Sequence, residues 1–319
     1  MFRKLAAALA ALVASTAVLA QDYPNRTISI VVPFAAGGPT DTVTRLVAQS
    51  MSKTLGQSVI VENVAGAGGT IGPKKVAASK PDGYTLVLMH IGISTSVTLY
   101  RNLGYNPQTD LAPIGLVTDV PMTFIARKDF PPKDMKELIA YVKANKDKVT
   151  YANAGVGAAS HLCGMLLMTA IQTDLTTVPY KGTGPAMTDL IGGQVTSMFT
   201  DVLVAMPFIQ SGRVRPFAVT SLKRHPMLPD VPTVAESGYP GFEALSWQGL
   251  FVPKGTPRAI VGKLNAQTRK ALASPEIKDF FSAQGMEVQA TSPEEFRAFV
   301  EKEIPKWARI IKEANVTLQ

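Results

Sequence analysis

The chain has 319 residues, 46% of them hydrophobic and 18% charged, which excludes a disordered or fibrous protein and leaves room for about two globular domains. Its net charge is +8, but the lysines and arginines form no dense block and no interleaving with aromatics, which argues against a nucleic-acid surface. Cys163 is the only cysteine, so neither an intrachain disulfide nor a cysteine-based zinc site can form.

The first element is Met1–Ala20. Arg3 and Lys4 precede an apolar run from Leu5 to Ala14, and Val18-Leu19-Ala20 leads into Gln21-Asp22. This order predicts a secretory signal peptide cleaved near Ala20. The run falls well short of the roughly 20 residues that a membrane span requires. Removing the leader lowers the net charge by two and sends the chain out of the cytoplasm. Chemistry that depends on a regenerated NAD, ATP or coenzyme pool is then disfavoured, and a small anionic partner suits the mildly basic remainder.

Strands and helices alternate from there. Ile28–Val32 is a β-branched run that stops at Pro33. After Gly37-Gly38-Pro39, Val43, Leu46, Val47, Met51 and Leu55 fall at helical spacing, with Thr40 or Asp41 as the expected N-cap. Val59–Val61 is the next strand, followed by the glycine-rich stretch Gly66–Gly72 and a short helix to Ala78. Pro81-Asp82-Gly83 is a turn, and Tyr84–Met89 a third strand. Val117–Arg127, interrupted at Pro121, is extended and long enough to carry the chain from one domain to another.

The second half repeats the pattern. Met135–Asn145 is helical, Val149–Tyr151 a strand, and the loop Asn153–Gly157 opens a helix to about Ile171. Strands at Thr176–Tyr180 and Val195–Thr200 flank a short helix at Pro185–Ile191, and Val214–Thr220 is a further strand. Four prolines between His225 and Gly241 predict an irregular return, and Glu243–Gln248 a second crossing between domains. Helices follow at Pro257–Ala273, Pro275–Gln284 and from Pro293. The last has an apolar stripe of Phe296, Phe299, Val300, Trp307, Ile310 and Ile311, with a kink expected at Pro305. Strand, glycine loop, helix, strand is the grammar of parallel βαβ units.

Catalytic constellations are hard to find. Gly92-Ile93-Ser94-Thr95-Ser96 misses the final glycine of a nucleophile elbow. Ser50-Met51-Ser52-Lys53 has the S-x-x-K spacing without the partner motifs. His90, His161 and His225 are scattered, so no metal-ligand pair is formed. Cys163 lies among Leu162, Met165, Leu166 and Leu167 and reads as a small buried hydrophobe. Glu294-Glu295 and Glu301/Glu303 read as the solvated face of the last helix. No metal and no cofactor is expected.

Three glycine loops remain: Ala35–Pro39, Gly66–Gly69 and Gly155–Gly157. Ile71 and Ser160 stand where a dinucleotide fingerprint needs its last glycine. Each loop follows a strand and opens a helix, so each either satisfies a tight turn or offers backbone N–H groups to an anion. Together with the leader, the three favour a small external anion.

The motifs in order resemble those of the Bug proteins, the periplasmic solute-binding components of tripartite tricarboxylate transporters. The resemblance is carried by Val32-Pro33-Phe34-Ala35-Ala36-Gly37-Gly38-Pro39-Thr40-Asp41, Glu62-Asn63-Val64-Ala65-Gly66-Ala67-Gly68-Gly69-Thr70-Ile71-Gly72 and Pro81-Asp82-Gly83-Tyr84-Thr85. Tyr180-Lys181-Gly182 with Asp189 and Gly193, Asp230-Val231-Pro232-Thr233, Pro253–Pro257, Ser292–Phe296 and Trp307 extend it over the whole mature chain. The family's third loop often reads G-S-x-x-H; here Ala158 follows Gly157, and Ser160 precedes His161.

The resemblance implies a type II periplasmic-binding fold, two α/β domains with a ligand cleft between them: residues 22–121 with 246–319, and residues 122–245. It implies a monomer without catalysis that closes on a small carboxylate, aliphatic or aromatic, and works with inner-membrane transporter subunits. The ligand would meet Phe34, Ala35, Gly37, Gly38, Asp41, Asn63, Ala67, Gly68, Gly69 and Thr95 from one domain. From the other it would meet Asn153, Ser160, His161, Lys181 and Asp201. Its carboxylates would lie against the backbone N–H groups of 35–38 and 67–69 and the helix start near Ser160. Lys181 is either a cation for the ligand or a surface residue, and Phe34 either covers the ligand or packs under its loop. Asp201 would repel a carboxylate unless it meets a donor, a water, or an amino or hydroxyl group. An exported hydrolase, or a ligand sensor serving a membrane partner, are the other readings.

Overall fold

The structure, a computed structural model, describes residues 23–313; the expected signal peptide lies outside the described residues. β1 (Ile28–Val32), β2 (Val59–Asn63) and β3 (Thr85–His90) run parallel, with β1 in the middle. α1 (Pro39–Leu55) and α2 (Ile71–Ala77) connect them. α1 buries Val43, Val47 and Met51 in a core with Ile28, Ile30, Leu86 and Leu88, as the helical spacing requires. α3 (Gly92–Leu99) and α4 (Pro107–Asp110) lead into the long strand β4 (Leu111–Arg127).

The second half has the same construction. α5 (Met135–Ala144) precedes β5 (Thr150–Asn153), α6 (Ala159–Ile171), β6 (Thr176–Pro179), α7 (Thr183–Ile191), β7 (Ser197–Asp201), α8 (Val202–Gln210) and β8 (Val214–Val219). β5 pairs in parallel with β6 and β7. The chain returns through β9 (Leu245–Pro253), α9 (Arg258–Leu272), α10 (Pro275–Ala283), β10 (Glu287–Val288) and α11 (Pro293–Glu313).

β4 joins the halves. Leu111 to Pro121 pair antiparallel with β9, which also pairs with β3; Met122 to Arg127 pair with β7 and β8. Pro121 lies where β4 exchanges one set of partners for the other, so its missing N–H interrupts no continuous ladder. Two α/β domains therefore meet at two crossing strands.

Several local expectations shift. α1 starts at Pro39 with Gly38 as N-cap, so Thr40 and Asp41 lie in its first turn and neither is the cap; proline is pre-set for the first helical position. α3, α4 and α8 were not signalled by the sequence, and β4 begins earlier than Val117. α11 spans Pro293–Glu313 with Pro305, the position of the expected kink, inside it. Glu303 is not on a solvated face: it is 6% exposed and its Oε2 accepts from the indole N–H of Trp247 at 3.0 Å and of Trp307 at 2.9 Å. Lys306 supplies the compensating charge at Oε1. Removing this acceptor strands two indole donors, so Glu303→Ala is expected to destabilise the fold by about 3 kcal/mol, seen as a lower urea midpoint at unchanged slope.

Candidate functional site

Parallel strands deliver their loops at their carboxyl ends, and ligands of α/β folds collect there. Here both domains turn those ends toward one cavity. Phe34, Gly38, Pro39 and Thr40 after β1 and His90 at the end of β3 form one wall. Ala154, Ala158, Ala159 and Ser160 after β5, Thr183, and Asp201 at the end of β7 form the other. Met122 of β4 and Ser246 of β9 line it from the crossing strands. The enclosed space is about 20 Å³, room for about one water, so a larger guest enters only when the walls part.

Four helices begin on this wall. α1 starts after Gly38, α6 after Ala158, α7 after Gly182 and α8 after Asp201, and at none of the four does a cap side chain accept a hydrogen bond from a first-turn N–H. The first turn of a helix leaves backbone N–H groups without intrahelical partners and carries the positive end of the dipole. Among the described residues no lysine or arginine side chain lines the cavity.

Apart from Asp201, the polar side chains on the wall, Thr40, His90, Ser160, Thr183 and Ser246, are neutral donors and acceptors. His90 is 5% exposed, and burial pushes its imidazole down to about 4, which keeps the ring neutral. Its Nδ1 accepts from the Gly92 N–H at 2.9 Å, which assigns the ring proton to Nε2. The ring stacks on Phe34 with centroids 4.7 Å apart. Ser160 Oγ accepts from the Ala154 N–H at 2.9 Å, and Tyr151 donates to the Ser160 carbonyl, fixing the start of α6. Asp201 is 3% exposed, and burial pushes its carboxyl up to about 7. Its Oδ1 accepts no hydrogen bond from the described residues.

Of the residues singled out in sequence, Phe34, Gly38, Ser160 and Asp201 line the cavity. Phe34 faces the cavity and also packs where a Cβ on Gly69 would come within 2.5 Å of its ring. Asp41 and Asn63 instead brace the first loop from behind. Asp41 accepts from the Gly37 N–H, the Arg45 guanidinium and Asn63 Nδ2, and Asn63 also donates to the Phe34 carbonyl. Burial alone would raise the Asp41 carboxyl, but the Arg45, Gly37 and Asn63 bonds hold it below the usual range. Ala35 donates its N–H to the Lys181 carbonyl of the other domain at 2.9 Å. The N–H groups of Ala35, Gly37 and Gly69 are thus committed within the protein, Gly69 to the Gly66 carbonyl.

The second glycine loop sits on the seam between the domains and not on the cavity wall. Ala67 and Gly68 lie against Tyr100, Gly155, Val156, Tyr180 and Lys181. Tyr100 Oη donates to the Val156 carbonyl at 2.6 Å, and Thr95 Oγ1 to the Gly157 carbonyl at 3.3 Å. Lys181 contributes its backbone to the seam. Asn153 and His161 shape the third loop from within, Asn153 Oδ1 accepting from Gly155 N–H and His161 Nδ1 from Gly157 N–H. His90, Thr183, Met122 and Ser246 escaped the sequence reading. The position after Gly182 carried a signal, since a loop gives way there to the helix expected near Pro185–Ile191; the end of β3 carried none, because α3 was not signalled by the sequence.

The comparisons agree with this architecture. The family described as tripartite tricarboxylate transporter family receptor matches residues 43–316. An Agrobacterium vitis protein named "UPF0065 protein in the TAR-I ttuE-ttuC' intergenic region" is 47% identical over 98% of this chain and 92% of its own length. The structure of the periplasmic binding protein BugD superposes with a TM-score of 0.91 at 53% identity, covering 93% of this chain and all of that one. MatC of Rhodopseudomonas palustris, solved with bound malate, superposes with a TM-score of 0.87 at 41% identity, covering 91% of this chain and all of that one. The two solved neighbours are solute-binding proteins of the two-domain periplasmic-binding fold, not enzymes. The chain belongs to the tripartite tricarboxylate transporter receptor family, as a Bug-type solute-binding protein.

Proposed function

We propose that this protein is an exported receptor that captures a small carboxylate between its domains and presents it to the membrane subunits of a tripartite transporter. The observation that carries this reading is the convergence of four uncapped helix starts on one buried cavity without a cationic side chain. Hydrogen bonds to a charged group contribute about 1.5–3 kcal/mol each, and micromolar affinity needs about 8 kcal/mol net. Six to eight such bonds reach that value after the cost of fixing the ligand. The relative MatC holds malate, a molecule of this class.

The domains of this reading are residues 22–121 with 246–319 and residues 122–245, supported by the change of β4 partners between Pro121 and Met122. A ligand touching both walls favours the closed arrangement that the Ala35, Thr95 and Tyr100 hydrogen bonds join. The leader read at Met1–Ala20 supports a periplasmic location. Among the described residues no helix is long and apolar enough to cross a membrane.

A thermal-shift screen of small mono-, di- and tricarboxylates tests the reading. A true ligand at 100 times its dissociation constant adds about 2.7 kcal/mol of stability. A panel in which no carboxylate raises the melting temperature contradicts it.

A further inference from the structure

Asp201 is out of character for a cavity that receives only anions. Among the described residues it is the one carboxylate on the wall, no lysine or arginine side chain there offsets it, and its Oδ1 is buried without a hydrogen-bond partner. No other wall residue has a buried side-chain atom in that condition. The neighbouring hydroxyls of Ser160 and Thr183 and the Nε2–H of His90 can serve a ligand carboxylate, but Asp201 can only accept when ionised. A buried acceptor left unmatched is costly, and a bound group that brings a proton to it removes that cost.

We propose that Asp201 is the specificity-determining residue of the cavity, accepting a hydrogen bond from a hydroxyl or ammonium group carried by the ligand beside its carboxylates. The preferred substrates are then hydroxy- or amino-substituted di- and tricarboxylates, and their unsubstituted analogues are discriminated against. This rests on the carboxylate reading above and names the part of it that backbone donors alone leave open.

Among the described titratable groups near the cavity, Asp201 is the one that changes charge near neutrality. The Cys163 thiol on α6 is held protonated by burial, and burial keeps the imidazoles of His90 and His161 neutral well below pH 6. Asp201 itself ionises at about 7. Selectivity for the donor-bearing ligand should therefore grow as pH rises through that value, because the ionised carboxylate is the stronger acceptor. A protonated Asp201 donating to a ligand carboxylate would give the opposite trend.

The test is calorimetry on the purified full chain with matched pairs: malate and aspartate against succinate, and citrate against tricarballylate. In the best-binding skeleton, the donor-bearing member should bind at least about tenfold tighter than its analogue near pH 8, since a site built around a hydrogen bond rejects the analogue lacking it. The ratio should shrink as pH falls below about 7. Asp201→Ala should bring it to within about threefold of unity. Asp201→Asn, which keeps an acceptor oxygen but cannot ionise, should retain part of the preference and lose the pH dependence. A wild-type ratio near one, a ratio that survives in Asp201→Ala, or one that grows as pH falls overturns the proposal. If Asp201→Ala does not fold, the wild-type ratio and the Asp201→Asn profile decide alone. Should neither member of any pair bind, the carboxylate reading fails and this one falls with it; if both bind equally, only this one does.

Discussion

Gly68→Val is expected to lower ligand affinity by at least about 100-fold while leaving each domain folded. A Cβ at this position would lie 1.6 Å from the Val156 carbonyl oxygen of the opposite domain, and 2.6 Å from the Tyr100 hydroxyl. The residue also sits at φ +62°, a conformation that a β-branched side chain resists. Gly155 approaches from the other side, its own Cβ position 3.0 Å from Gly68 Cα. The clash is across the seam, so it penalises closure and does not remove a ligand contact. A penalty of about 2.7 kcal/mol on the closed state corresponds to the 100-fold loss. Small-angle scattering separates this account from a lost contact: the wild type should contract on adding ligand, and Gly68→Val should keep its larger radius of gyration. Contraction of the variant equal to that of the wild type would rule out the seam assignment.

Ala158→Asp is the second large effect, and it separates stability from binding. Ala158 is the N-cap of α6 with extended backbone angles, the geometry from which a short acidic side chain caps a helix. An aspartate there would satisfy the first N–H groups of α6 and complement its dipole, which offsets the cost of burying its charge, so the melting temperature should hold. The same carboxylate would occupy the donors assigned to the ligand and add a second negative charge to the wall that carries Asp201. Carboxylate affinity should fall by about 1,000-fold, roughly 4 kcal/mol. Ala158→Ser, which caps without charge, should remain within about tenfold of the wild type. Calorimetry with melting curves on the three proteins checks both outcomes. Undiminished binding by Ala158→Asp would mean that the start of α6 does not hold the ligand.

The local grammar of the chain was legible because it depends on neighbours in sequence. Val43, Val47 and Met51 announce the buried face of α1, and the glycine breaks after Val32 and Asn153 announce loops that turn from strand to helix. α8 stayed hidden because Val202 follows Asp201 with no turn residue between strand and helix, and Pro207 argues against a helix it in fact occupies. The roles of Asp41 and Asn63 were illegible for a different reason. Their partners, Gly37 and Arg45 beside Asp41 apart, are reached through the fold, and a carboxylate beside a glycine loop looks the same whether it meets a ligand or braces the loop. The seam was hidden likewise, since nothing near Gly68 in sequence shows that Val156 will lie against it. Glu303 is the plainest case. Helical spacing set it beside solvent-facing acids, but Trp247, brought over on β9, turned it inward as a shared acceptor.

Helix N-termini in the cleft are proposed to hold the charge of a carboxylate without the help of a cation. Calorimetric titration of the best-binding acid of the screen and of its uncharged amide counterpart into the same protein isolates that charge. The two have nearly the same shape, but only the acid offers anionic oxygens to the first turns of α1, α6, α7 and α8. Micromolar binding of the acid with at least about 100-fold weaker binding of the amide is the predicted result. Equal affinity for the two would contradict the account.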